Sequence, residues 1–258
     1  MRSLANHSGS GSGRVGIFIQ ARANSSRLPG KIFELLQPGR PDSSILETIY
    51  RRMSGVSGAR TVVLVPENEA ALIDWCRRRD MECFAGPEVD VRERYRRAAR
   101  YYDVDYVVRA TGDNPCVDPE VTADTARALV AGGADLLSYG NLPLGAAVES
   151  MRREALESDQ APACEVHREH VSLHIKHNPE RFRVEHPDHP SAPAKGRVAL
   201  PRLTVDTAED LAVVRAVFAA LGADFRTPGV IQLFEQRPEI FALNRDVPQR
   251  SFTPLLQA

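Results

Sequence analysis

Val15-Gly16-Ile17-Phe18-Ile19 runs directly into Gln20-Ala21-Arg22-Ala23-Asn24-Ser25-Ser26-Arg27-Leu28-Pro29-Gly30-Lys31, and the junction between the two decides the fold. The first run is nearly all apolar and partly β-branched, the pattern of a strand buried on both faces. The second is polar, turns at Pro29-Gly30 and carries Arg22, Arg27 and Lys31. Ligands of open parallel sheets sit beyond the carboxyl ends of strands, so a cationic loop at that place can surround a polyphosphate. This is not a Walker loop: G-x-x-x-x-G-K-[ST] is absent, and Gly9, Gly11 and Gly13 precede the strand instead of following it. A solvated basic loop is the competing reading of this segment taken alone.

Working outward, Thr61-Val62-Val63-Leu64-Val65 and Tyr106-Val107-Val108 also read as strands, and helical patterns fall near 44–54, 67–79, 90–102 and 118–131. Their alternation predicts an α/β fold, a mostly parallel sheet flanked by helices. Leu211, Val214, Phe218 and Leu221 share one face of a helix. Thr207 with Asp210 three positions later is a capping-box pattern, so that helix should begin just after Asp206, behind the β-rich Arg202-Leu203-Thr204-Val205. Between about 139 and 200 the pattern changes to mixed turns and one polar helix, with Pro187, Pro190, Pro193 and Pro201 breaking any long element, which reads as an excursion projecting from the sheet.

The 258 residues are 43% hydrophobic with a formal net charge of -1, the profile of one globular domain over 14–258 behind a flexible tail, 1–13. That balance excludes a general electrostatic pull toward nucleic acid or an acidic membrane, so any bound anion needs a local cluster. The basic runs Arg77-Arg78-Arg79 and Arg92 to Arg97 read as solvated helix faces. Cys76, Cys83, Cys116 and Cys164 form no C-x-x-C pair, and neither a zinc site nor a disulfide framework is expected. No apolar run approaches the ~18 residues that span a bilayer, and a reducing cytoplasm is the expected location.

A second polar cluster, Thr111-Gly112-Asp113-Asn114-Pro115, leaves the strand that starts at Tyr106. Asp113 there could hold Mg²⁺ beside phosphates, or simply form an Asx turn before the proline. Asp206 could be a second metal ligand or could favour the helix dipole. Two carboxylates and a cationic loop, each at a predicted strand exit, are harder to dismiss together than singly. His167, His170, His174 and His177 recur at helical spacing, and a polar face is a better reading of them than a metal stripe.

Taken together, Ile19-Gln20-Ala21-Arg22 through Lys31, Gly112-Asp113-Asn114-Pro115 and Val205-Asp206-Thr207-Ala208-Glu209-Asp210-Leu211 resemble the sugar-acid cytidylyltransferases, which include CMP-Kdo and CMP-sialic acid synthetases. The chain is most similar to their spore-coat polysaccharide biosynthesis F-type branch, through Phe84-Ala85-Gly86, Arg94-Tyr95 and Arg168-Glu169-His170 as well. The resemblance, over about 15–220, implies a Rossmann-like nucleotidyltransferase fold whose 139–200 segment dimerises and shapes the acceptor site. It implies Mg²⁺-dependent transfer of CMP from CTP to an acidic acceptor with release of pyrophosphate. Arg22 and Lys31 would match phosphate-binding cations, and Asp113 and Asp206 the Mg²⁺ ligands. Ala21, Ser25, Arg27, Gly86 and Gly112 would lie along the nucleotide, with Glu149, Arg168 and His170 toward the acceptor. Where the branch has Pro-Asp-Gly, this chain has Pro143-Leu144-Gly145, a change expected to alter the acceptor.

Two other readings compete. A metal-dependent glycosyltransferase could use Asp103-Val104-Asp105, although that motif precedes its strand. A nucleotide-binding sensor without turnover would not need two metal ligands aimed at a leaving group.

Overall fold

The computed structural model describes residues 13–25, 27–158 and 165–249; Ser26, Cys164 and most of the expected tail lie outside these. Among the described residues, β1 (Val15–Gln20), β2 (Ala59–Pro66), β3 (Cys83–Gly86), β4 (Tyr106–Thr111), β5 (Leu136–Leu137), β6 (Glu149–Arg152) and β7 (Val184–Glu185) form one sheet in the order β3-β2-β1-β4-β6-β5-β7. The first four strands are parallel, β6 runs antiparallel to both β4 and β5, and β7 is parallel to β5.

The expected helices are α1 (Ile45–Ser54), α2 (Ala70–Arg77), α3 (Val91–Tyr101) and α4 (Pro119–Ala131). Each of α1, α3 and α4 starts where a side chain accepts from a first-turn N–H: Ser44 from Glu47, Asp90 from Glu93, and Asp118 from Glu120. Five more follow: α5 (Arg153–Glu157), α6 (Glu165–Glu169), α7 (Leu173–Lys176), α8 (Ala208–Leu221) and α9 (Thr227–Gln236), with the short α10 (Pro238–Phe241) after them.

Strand side chains alternate between two cores, as the period-2 geometry requires. Ile17, Ile19, Val63, Val65 and Val108 pack on the face of α1 and α8, with Ile49, Met53, Val214 and Phe218. Phe18, Val62, Leu64 and Val107 pack on the opposite face with Tyr95 and Ala98 of α3, Leu156 of α5 and Ile175 of α7. Burial on both faces is why these strands read as continuous apolar runs.

The chain leaves β1 toward β2 and β3, then crosses back to lay β4 on the other side of β1. Gln20 and Thr111 are therefore neighbours in register, and their strands' following loops depart in opposite directions. That reversal opens a crevice at the carboxyl edge. Gly112 donates to the Gln20 carbonyl at 2.8 Å, and a Cβ on Gly112 would stand 2.9 Å from that oxygen.

Four expectations change. Arg202-Leu203-Thr204-Val205 is extended but forms no strand: its neighbours are the loops after β4 and before β6, through Leu203 N to Leu144 O and Val205 N to Asp113 O, both 2.8 Å. Of the segment 139–200, β6 and β7 belong to the sheet, and it is 186–201 that runs largely exposed over the surface. The histidines do not share a helix, because α6 ends at Glu169 and α7 begins at Leu173. His174 is buried against the Ala155 carbonyl at 2.9 Å, and His167 pairs with His177 at 3.0 Å. Arg92 and Arg94 are buried, not solvated: Arg92 donates to the Leu156 carbonyl and Arg94 to those of Pro87 and Glu88.

Candidate active site

Lys31 is the centre of the crevice. It follows Gly30, whose φ of 71° is a left-handed conformation suited to glycine, so the chain turns sharply and sends the lysine inward. Its ammonium is buried and donates to Val205 O at 2.6 Å, Asp206 Oδ1 at 3.1 Å and Asp113 Oδ2 at 3.3 Å. Two carboxylates more than ninety positions apart in sequence thus face one nitrogen. Asp206 also takes Arg27 and Arg202, each at 2.8 Å. Burial acts to raise the Asp206 carboxyl, but Lys31, Arg27 and Arg202 outweigh it and hold it below its ordinary range.

Asp206 is fixed from behind by the start of α8. Thr207 and Asp210 form the capping box reciprocally, and Asp210 also accepts from the Asp206 N–H at 3.0 Å and from Arg202 at 2.9 Å. The loop after β1 is held in the same way: Ala23 donates to Glu69 Oε2 at 2.8 Å, and Gly30 to the Ala23 carbonyl at 3.1 Å.

These groups line a cavity of about 500 Å³. Ala21, Arg22, Ser25, Arg27 and Lys31 line it from the loop after β1, Gly112 and Asp113 from the loop after β4, and Asp206 and His170 from farther along the chain. Arg22 has no ion-pair partner among the described residues. Three expected residues are elsewhere. Gly86 ends β3 and contributes by being small, since a Cβ there would stand 2.8 Å from Arg94 Cγ. Arg168 is exposed on α6 outside the cavity. Glu149, expected toward the acceptor, is an inward member of β6, paired with Arg109 and Lys176.

The sequence reading missed Arg94, Arg109 and Arg202, which also line the cavity. Arg109 had a signal: it is a cation in the middle of an otherwise apolar parallel strand. Asp103 and Asp105 pair with Arg14 at the opposite end of β4 and take no part in the cavity.

A family model described as Cytidylyltransferase matches residues 16–236. The chain belongs to the cytidylyltransferase family. This cytidylyltransferase is 29% identical over 228 residues to the spore coat polysaccharide biosynthesis protein SpsF of Bacillus subtilis, covering 86% of this chain and 94% of that one. It is similar to the structure of a cytidylyltransferase from Leptospira borgpetersenii, with a TM-score of 0.79 and 26% identity over 92% of this chain and all of the other (100%). A CMP:2-keto-3-deoxy-manno-octonic acid synthetase complexed with CTP shares the fold, with a TM-score of 0.60 at 16% identity over 80% of this chain and 99% of that one. The chain is thus a nucleotidyltransferase of Rossmann-like fold that uses CTP. No helix among the described residues is long and apolar enough to cross a membrane.

Proposed function

We propose that this cytidylyltransferase transfers CMP from CTP to a sugar acid or related acidic acceptor, releasing pyrophosphate. The observation that carries the reading is the convergence of Asp113, Asp206, Arg27 and Arg202 around Lys31 where the loops after β1 and β4 meet. Lys31 and Arg27, with Arg22, which has no ion-pair partner among the described residues, supply positive charge where a triphosphate would lie.

The donor set fits Mg²⁺. Asp113 and Asp206 offer two hard carboxylate oxygen ligands on the wall of the cavity. Such a set suits an ion that completes its shell with substrate phosphates and water. Asp113 and Asp206 would hold it, and bound there it neutralises charge on the phosphates.

In the transfer, an acceptor hydroxyl oxygen bonds to the α-phosphorus as its proton passes to solvent, while the bond to the bridging oxygen breaks and the electron pair leaves with pyrophosphate. The chain's part is positioning and charge: Lys31 and the arginines stabilise the leaving oxygens. Arg202 holds Asp206 in place, and His170 and Leu144 line the cavity available to the acceptor. Homodimerisation through the 139–200 segment belongs to the same reading and is checked by sedimentation. The spore-coat relative's name associates that protein with polysaccharide biosynthesis, and an activated acid would suit such a route.

The test is pyrophosphate release with CTP, UTP, GTP or ATP against a panel of ulosonic, nonulosonic and phosphonic acids. Release is expected only with CTP, an acid and Mg²⁺ together. Release of a nucleotide from a nucleotide sugar instead would favour a glycosyltransferase, and binding without turnover would favour a sensor.

A further inference from the structure

Two cations lining the cavity, Arg94 and Arg109, are not used by the nucleotide reading, and Arg94 is taken up by the carbonyls of Pro87 and Glu88. Arg109 is the fourth residue of β4, in register opposite Glu149 of β6. Glu149 accepts from Ser172 at 2.7 Å, pairs closely with Lys176 and lies 3.4 Å from Arg109 Nη1. A single carboxylate therefore stands between two cations, and one positive charge remains over. The nearby Tyr95 phenol, its acidity suppressed chiefly by burial, brings no compensating charge. Asp113 is within electrostatic reach of Arg109 but is already paired with Lys31, and Glu169 is exposed at the rim.

The surplus faces open space, because Arg109 lines the cavity with its side chain 22% exposed. The 3.4 Å contact is at the far edge of hydrogen-bond range, and although Arg109 also hydrogen-bonds the Tyr95 phenol, its Nε has no partner among the described residues, so the guanidinium keeps donor capacity for a further acceptor. Its forked shape matches a carboxylate better than a single oxygen. The triphosphate has its own cations on the loop after β1.

We propose that Arg109 is the residue that selects an anionic group, a carboxylate by shape, on the acceptor, and that Glu149, held by Lys176 and Ser172, is its positioning residue. This inference rests on the nucleotidyl-transfer reading. Glu149 anchors one face of the guanidinium and leaves the other to the incoming acid. His170 lines the same cavity, and burial together with the charges of Arg109 and Lys176, opposed by Glu169, lowers its pKa.

The experiment is calorimetric titration of the full chain with a panel of 2-keto sugar acids and their methyl esters, in the presence and absence of Mg²⁺ and α,β-methylene CTP. With the unaltered chain, at least one acid is expected to bind about ten-fold or more tightly than its ester. Arg109→Met should bring acid and ester within about two-fold of each other, while Arg109→Lys retains part of the preference. Glu149→Gln should weaken the acid by about three- to ten-fold and leave the ester unchanged, which a merely structural loss would not do. No discrimination by the unaltered chain across the panel, or an unchanged ratio in Arg109→Met, would overturn the assignment. If Arg109→Met fails to fold, the lysine variant and the acid-to-ester ratio of the unaltered chain decide. Failure of the unaltered chain to bind α,β-methylene CTP would count against the nucleotide reading instead, and the titrations without nucleotide still score Arg109.

Discussion

Asp206 and Glu149 are both carboxylates surrounded by cations, and they respond differently to loss of charge. Asp206 faces the cavity, and its scaffold survives without it because Arg202 keeps Asp210 and Lys31 keeps Asp113. Asp206→Asn should therefore retain a melting temperature close to that of the unaltered chain while lowering kcat for pyrophosphate release by about a hundred-fold or more. Near-normal turnover would reject its role. Glu149 is buried: burial would raise its pKa, yet Arg109, Lys176 and the Ser172 hydroxyl bring it down to about 2. A depressed folded-state value means that the stabilisation is complete above the unfolded carboxyl pKa near 4.3 and is lost as pH falls toward about 2. It is on the order of 3 kcal/mol. Urea unfolding of Glu149→Gln should show a deficit of that kind at neutral pH that closes as the solution is acidified through this window. A deficit that grew on acidification would contradict the ion-pair account.

At the level of elements, the site depends on how closely the loops after β1 and β4 approach. Gly112→Ala would insert a Cβ 2.9 Å from the Gln20 carbonyl and 3.3 Å from Ala21 Cα, both backbone atoms of the β1 exit. The loops must part, so the KM for CTP should rise by about ten-fold or more while stability falls by about 1–3 kcal/mol. Unchanged CTP kinetics would show that the approach is not needed. Legibility divides along the same lines. β1, β2 and the start of β4, with α1 to α4, could be read because each has a local cause: an apolar run buried on both faces, or a periodic face, preceded by a side-chain cap in α1, α3 and α4. The Thr207 box was equally local, and Lys31, Asp113 and Asp206 stood out as charged residues beyond predicted strands, although the one predicted before Asp206 did not form. β5 and β7 are two residues each and exist only through their neighbours. β6 carries Glu149 and Arg152 at its ends, charges that fit a sheet only with distant partners. Arg94 looked solvated because the Pro87 and Glu88 carbonyls it reaches have no signature in sequence. Arg202-Leu203-Thr204-Val205 had strand-like residues but no strand beside it.

Among the described residues, two large cores clamp the sheet, a small third cluster of Leu129, Ala134 and Leu137 lies beside them, and the surface segment 186–201 belongs to none of these. That segment is tied down chiefly by Asn141, which donates to the carbonyls of His189 at 2.8 Å and Pro193 at 3.1 Å and accepts from the His189 N–H at 2.7 Å. His189 is buried and reaches Asp124 of α4 at 3.0 Å, closing the attachment. Asn141→Ala removes the clamp without touching either core, so the loss should be local, about 1–3 kcal/mol in the segment's opening. Hydrogen exchange should accelerate over 186–201 while β1, β2 and β4 keep their protection. The cavity should be nearly indifferent, because Leu203 and Val205 hold the Asp206 strap through backbone bonds to Leu144 and Asp113. CTP affinity should change by less than about two-fold. Uniform acceleration through the sheet would mean that the surface segment and the nucleotide crevice open as one cooperative unit, and the separation argued from the two cores would fail.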